Sequence, residues 1–198
     1  MSGRVKIPSD IPKEGKLPVT KLDAALRQLE TAITMWFADG DPVSICTLSS
    51  AAHEIIDSLN AGFGGSPTML QGRNIRPEKK DLALALLRMA PNFFKHSGKD
   101  PNETHFFAVK GQVAILADAV ATYNSWNIGK RAIFEVFTGW LLLEHPEMFT
   151  NASAVIAVSP ADAARLLRAG KMNYYQMALP LQVQRLAGIV PSGHNRAH

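Results

Sequence analysis

TKLDAALRQLETAITMWFADGDPVSICTLSSAAHEIIDSLNAG, residues 20–62, decides the fold. Leu22, Leu26, Leu29, Ile33 and Trp36 recur every three or four positions, as on one face of an α-helix. Thr20 with Asp23 makes a capping box at its start, and Gly40 is placed to stop it. Asp41 followed by Pro42 then reads as an N-cap and first helical residue. A second apolar face follows in Ile45, Leu48, Ala52, Ile55 and Leu59. Two amphipathic helices joined by so short a turn pack antiparallel, which is the seed of a helical bundle.

The rest of the chain extends that pattern. GFGGSPTMLQGRNIRP, from residue 62, reads as a flexible loop. PEKKDLALALLRMA forms a third helix, broken or kinked at Pro91. A fourth opens at Asp100-Pro101 and runs through NETHFFAVKGQVAILADAVATYN. The fifth, about residues 130–144, is apolar on most sides and belongs in the centre; a homodimer burying part of it is expected. SPADAARLLRAG, capped by Ser159 and closed by Gly170, is the sixth, and a last apolar piece is split by Pro180. SAVIAVS, residues 153–159, is the one β-like run, and a single strand makes no sheet. The expected fold is all-α: one bundle of six or seven helices over residues 20–190. An extended arm (1–19) precedes it and a flexible tail (191–198) follows.

Composition limits the function classes. The chain has 198 residues, 46% of them hydrophobic, enough for one sizeable core. No apolar run approaches the ~20 residues of a membrane span, and the N-terminus lacks a signal-peptide core. A cytoplasmic protein with no membrane partner is expected. Cys46, the single cysteine, sits among small and apolar residues and reads as a buried, inert thiol. The net charge of +4 permits phosphate binding without demanding it.

Four places invite chemistry. In PNFFKHSGKDPNE, residues 91–103, Asn92, Lys95 and His96 share a face if the helix resumes after Pro91, and Arg88 joins them one turn earlier. An amide, an ammonium and an imidazole on one side can hold a phosphate and move a proton. His105, one turn into the expected fourth helix, faces the same cleft. The plain alternative is the polar end of a helix, where Lys and His suit the dipole. In HEIID, His53 and Asp57 stand at i and i+4, spacing that can share a metal, although the alternative is a simple helical pair. GFGGSP lacks the Gly-Lys-Ser/Thr of a P-loop and follows no strand, so no nucleotide cofactor is expected. The aromatics Phe93, Phe94, Phe106, Phe107, Phe134, Phe137 and Trp140 read as core, with the two Phe-Phe pairs pinning helices three and four.

The run Asn92-Phe93-Phe94-Lys95-His96 resembles the motif region of HEPN-domain proteins, an all-α superfamily. Their motif sets an arginine four to six residues before a histidine, often as Arg-Asn, a few residues, then Lys-His. Asn92 and Lys95-His96 match it. Pro91 stands where the arginine belongs, and Arg88 lies outside the usual spacing. As a fold-level likeness the resemblance spans residues 21–140. It implies His96 as the catalytic group of a metal-independent ribonuclease acting across a dimer interface. Alternatively, it implies a member that binds RNA, a nucleotide or a protein partner without strong cleavage. Proline cannot replace a bidentate guanidinium, so the second form is expected here. A metal-dependent bundle enzyme using His53 and Asp57, or a non-catalytic adaptor, are the alternatives.

Overall fold

A computed structural model describes residues 15–73, 75–96, 101–149 and 158–189. Among them are seven α-helices, joined by turns and short 3₁₀ segments, and no strand. The helices are α1 (Lys21–Phe37), α2 (Pro42–Asn60), α3 (Lys80–Lys95), α4 (Gln112–Ser125), α5 (Ala132–Glu144), α6 (Pro160–Ala169) and α7 (Lys171–Leu186). The all-α expectation holds. No helix among the described residues is long and apolar enough to cross a membrane. Most of the expected arm and all of the tail lie outside the described residues, as do Asp100 and the greater part of SAVIAVS.

α1 begins as its sequence requires. Thr20 Oγ1 accepts from Asp23 N–H, and the Asp23 carboxylate accepts in return from Thr20 N–H. The helix ends at Phe37, and Asp39, not Gly40, takes the left-handed backbone at φ 50°. Asp41 caps α2, accepting from Ser44 N–H at 2.8 Å. α1 and α2 pack along their length, and α2 in turn packs on α4. Leu29, Ile33, Phe37, Ile45, Ile56, Leu116, Phe134 and Phe137 fill the centre. Trp36, Phe37 and Phe137 meet edge to face at centroid distances of 5.0–6.4 Å.

Three expectations about the helices need correction. Pro91 does not break α3, which runs on to Lys95. A proline removes one N–H and crowds the preceding turn. Here Phe93 and Phe94 pack on His105 and Phe107, and His96 N–H closes the last turn on Asn92 O at 3.1 Å. α4 does not start at residue 100 or 101 but at Gln112, after a 3₁₀ turn. His105 and Phe107 turn inward and Phe106 outward, the period of extended chain and not of helix. Pro180 sits inside a continuous α7, whose preceding turns are held against the core by Tyr174, Tyr175, Ala178 and Leu179. α5 lies in the centre as expected: its apolar residues are buried inside the chain, where α7 packs across it.

α7 closes the bundle by stacking Tyr175 on Phe37 at 4.7 Å, while Lys171 spans Asp39 at 2.6 Å and lies over the Trp36 ring.

Candidate functional site

α3 positions the sequence-expected residues. It packs mainly on α2. Because it is unbroken, its 3.6-residue period sorts three ridges. Ala83, Leu87, Ala90 and Phe94 form one, with Ala90 buried. Leu82, Leu86 and Met89 form the second, and about half or more of each side chain is open to solvent. Arg88, Asn92 and Lys95 form the third, at i, i+4 and i+7, all exposed. Lys95 Nζ reaches Glu54 of α2 at 3.7 Å, a long surface pair. His96 follows in extended backbone (φ −131°, ψ 120°) and is exposed.

His105 does not share that edge. Its ring lies 5.3 Å from Phe93 and 6.3 Å from Phe94, on the opposite side of the terminal turn from the Arg88 ridge. Arg88, Asn92 and Lys95 are thus brought into a row that ends beside His96, and His105 is directed elsewhere, into the wall of an apolar cavity.

His53 and Asp57 also part company. His53 is buried and meets Asp118 of α4, Nε2 to Oδ2, at 2.7 Å. Asp57 instead accepts from the Thr68 hydroxyl. Asp118 is the hub: its Oδ2 also accepts from Met69 N–H at 2.8 Å, and its Oδ1 accepts from Arg73 Nη2. Arg73 Nη2 reaches Thr122 Oγ1 as well, at 3.4 Å. Burial alone would raise the Asp118 carboxyl, but the hydrogen bonds from His53, Met69 and Arg73 outweigh it and hold the group below its usual range. An ionised carboxylate only accepts, so the Nε2 of His53 carries the proton.

A His–Asp pair is the raw material of general base catalysis. A cavity of about 10 Å³ lies against His53, between Ser50, Glu54, Leu70 and Arg88. That is no more than one water occupies. The cluster is therefore a clamp joining α2, α4 and the 61–79 connection. Among the described residues, no three His, Cys, Asp or Glu side chains gather where they could hold a metal ion.

The same clamp corrects the reading of GFGGSP as a flexible connection. Asn60 Nδ2 donates to Ser66 O at 2.7 Å, Trp126 Nε1 donates to Asn60 Oδ1 at 2.8 Å, and Phe63 stacks on Trp126 at 4.4 Å. Thr68 is fully buried. Sequence reasoning missed Asp118 and Arg73. The signal was there: Asp118 is a lone acid inside QVAILADAVATY, and a carboxylate in such a run must find a cation. Cys46 is buried as expected, and burial pushes its thiol up. No protein-family model, no curated protein and no solved structure matches this chain.

Proposed function

We propose that this protein is a HEPN-like helical bundle that binds single-stranded RNA along the last turns of α3 and does not cleave it strongly. The observation that carries the reading is the continuity of α3 through Pro91. It sets Arg88, Asn92 and Lys95 in one exposed row about 10 Å long, with His96 at its end. A guanidinium, an amide and an ammonium in line are suited to tracking a phosphate backbone. The row lies on an open helix face, which suits a strand better than a mononucleotide, since small ligands need concave sites. Binding is favoured over cleavage because His96 stands on exposed, extended backbone, and Pro91 fills the place of a guanidinium next to Asn92.

The test is fluorescence anisotropy with labelled single-stranded RNA at about 50 and 200 mM salt. Wild type is compared with Arg88→Ala, Lys95→Ala and His96→Ala. Affinity should fall steeply with salt, and Lys95→Ala should lower the salt slope by about one unit. A mononucleotide should not compete. Sedimentation at the same concentrations reads the homodimer that the resemblance implies. RNA binding that none of the three substitutions changes, or none at low salt, overturns the reading.

A further inference from the structure

An amphipathic helix turns apolar residues to the core and polar ones to water. α3 departs from that rule on its solvent side. Leu82, Ala85, Leu86 and Met89 stand at i, i+3, i+4 and i+7, and all four are exposed. No charged residue falls within this stripe. Beside it runs the segment that leads into α4, where Phe106 is 93% exposed and Val109 about half exposed. Between stripe and segment lies an apolar hollow of about 430 Å³, lined by Leu86 and Met89 on one side and by Phe106 and Phe107 on the other. Of its wall residues, only His105 and Gln112 carry side-chain nitrogen or oxygen, and the His105 ring lies 5.3 Å from that of Phe93. An aromatic side chain entering the hollow therefore meets apolar groups and one more ring.

Leu82, Leu86, Met89, Phe106 and Val109 together leave on the order of 400 Å² of apolar side chain open. A standard interface buries about 800 Å² on each partner, a little over half of it apolar. The patch has the size of the apolar part of such an interface.

Its arrangement says which partner. The stripe reads alike from both ends: about the midpoint between residues 85 and 86, Leu82 falls opposite Met89, and Ala85 opposite Leu86. Two copies of α3 laid antiparallel across a twofold axis thus set the small Ala85 against the large Leu86 at the centre, where the helices come closest. A twofold axis also requires each copy to supply both halves of every contact. This surface supplies both, a projecting Phe106 and a recess beside it. The recess is well above the ~150 Å³ that holds a benzene ring.

We propose that this face is a homodimer interface. Two copies pair their α3 helices antiparallel, and the Phe106 of each enters the hollow of the other. The interface does not rest on RNA binding, because Arg88, Asn92 and Lys95 lie on the neighbouring ridge of α3.

The test is sedimentation equilibrium without RNA, at about 1–100 μM, following the mass from 21.5 kDa for one chain toward twice that value. Leu82→Glu and Met89→Lys should each weaken association by about tenfold or more, since each sets an unpaired charge against an apolar side chain of the other copy. Mixed together, the two variants should associate again, because the antiparallel pairing puts those positions opposite each other. Misfolded variants would not be rescued by mixing. Phe106→Ala should weaken association as well. Leu181→Glu, on α7, is the control: Leu181 is 55% exposed and Leu82 61%, and its substitution should change nothing. A mass that stays at one chain's value throughout overturns the interface, as does association that Leu82→Glu and Met89→Lys leave intact or that Leu181→Glu weakens equally. A mixture that stays monomeric overturns the antiparallel pairing, and an unchanged Phe106→Ala variant overturns the entry of Phe106.

Discussion

Two regions of this molecule use nearly the same side chains for opposite ends. Between α2 and α4, a histidine, an arginine and a carboxylate are buried and spent on one another. At the end of α3, an arginine, an asparagine, a lysine and a histidine stand in the open, with one long contact to Glu54 among them. The difference teaches that residue type alone does not mark a site. The His–Asp pair looks catalytic on paper, but the cavity against His53 has room for one water at most. The polar end of α3 looks ordinary, and among the described residues its side chains make no contact closer than that of Lys95 with Glu54. Engagement, not chemistry, separates clamp from edge.

The largest expected effect breaks the clamp. Asp118→Ala leaves Arg73 and His53 without their acceptor and should cost about 3–5 kcal/mol of stability, measured by urea unfolding. His96→Ala on the edge should stay within about 0.5 kcal/mol. Comparable losses would erase the distinction. Next comes the connection that the clamp holds. A Cβ on Gly65 would lie 1.8 Å from Asn60 Oδ1 and 2.9 Å from Trp126 Nε1, so Gly65→Ala must disturb that hydrogen bond. The expected cost is about 1–3 kcal/mol. Gly62→Ala, where a Cβ meets nothing within 4 Å, is its control and should be close to neutral.

Acid sharpens the comparison further. The Asp118 carboxyl is held low in the folded chain, so the unfolded chain binds its proton more tightly. The resulting stability is complete above the unfolded carboxylate value of about 3.9 and is lost as pH falls through the folded value beneath it. Urea midpoints at neutral pH and at successive steps below pH 4 should therefore fall more steeply for wild type than for Asp118→Asn. Asp23 and Asp41, also held low by their capping bonds, titrate alike in both proteins and cancel in the difference. Parallel curves would show that Asp118 is not the hub.

Local rules are legible in this chain, and the long-range partners are not. Thr20 with Asp23, Asp41 with Pro42, and Ser159 with Pro160 each mark a helix start that the structure keeps. The prolines mislead, because Pro91 and Pro180 lie where flanking aromatic and aliphatic residues are anchored. Tertiary packing there outweighs one missing N–H. His105 misleads too. The Asp-Pro pair before it signals a helix start, and the two adjacent phenylalanines give no alternation from which the extended backbone at 105–107 could be read. Of the polar residues, the row from Arg88 to Lys95 follows from helical spacing alone, whereas His96 leaves the helix on extended backbone. The union of His53 with Asp118, 65 positions apart, follows from no spacing. A single sequence shows only that such a buried acid needs a partner, not which one.

The smallest expected effect is the most discriminating. Lys95 touches Glu54 at 3.7 Å, and both side chains are partly open to water. Exposed pairs of this kind contribute about 0–1 kcal/mol. Lys95→Ala and Glu54→Gln should each shift stability by about 0.5 kcal/mol or less. On RNA they should diverge. Removing the lysine takes away a phosphate contact, whereas removing the glutamate releases the lysine from its competitor and lifts a nearby negative charge. Glu54→Gln should thus tighten binding where Lys95→Ala loosens it, each by a few-fold, with stability held level. A structural role for the pair predicts the reverse: both variants losing stability together and neither moving RNA affinity. Opposite signs on one ligand from two halves of one ion pair would show that Lys95 is held ready at the surface, as the clamp's Arg73 is not.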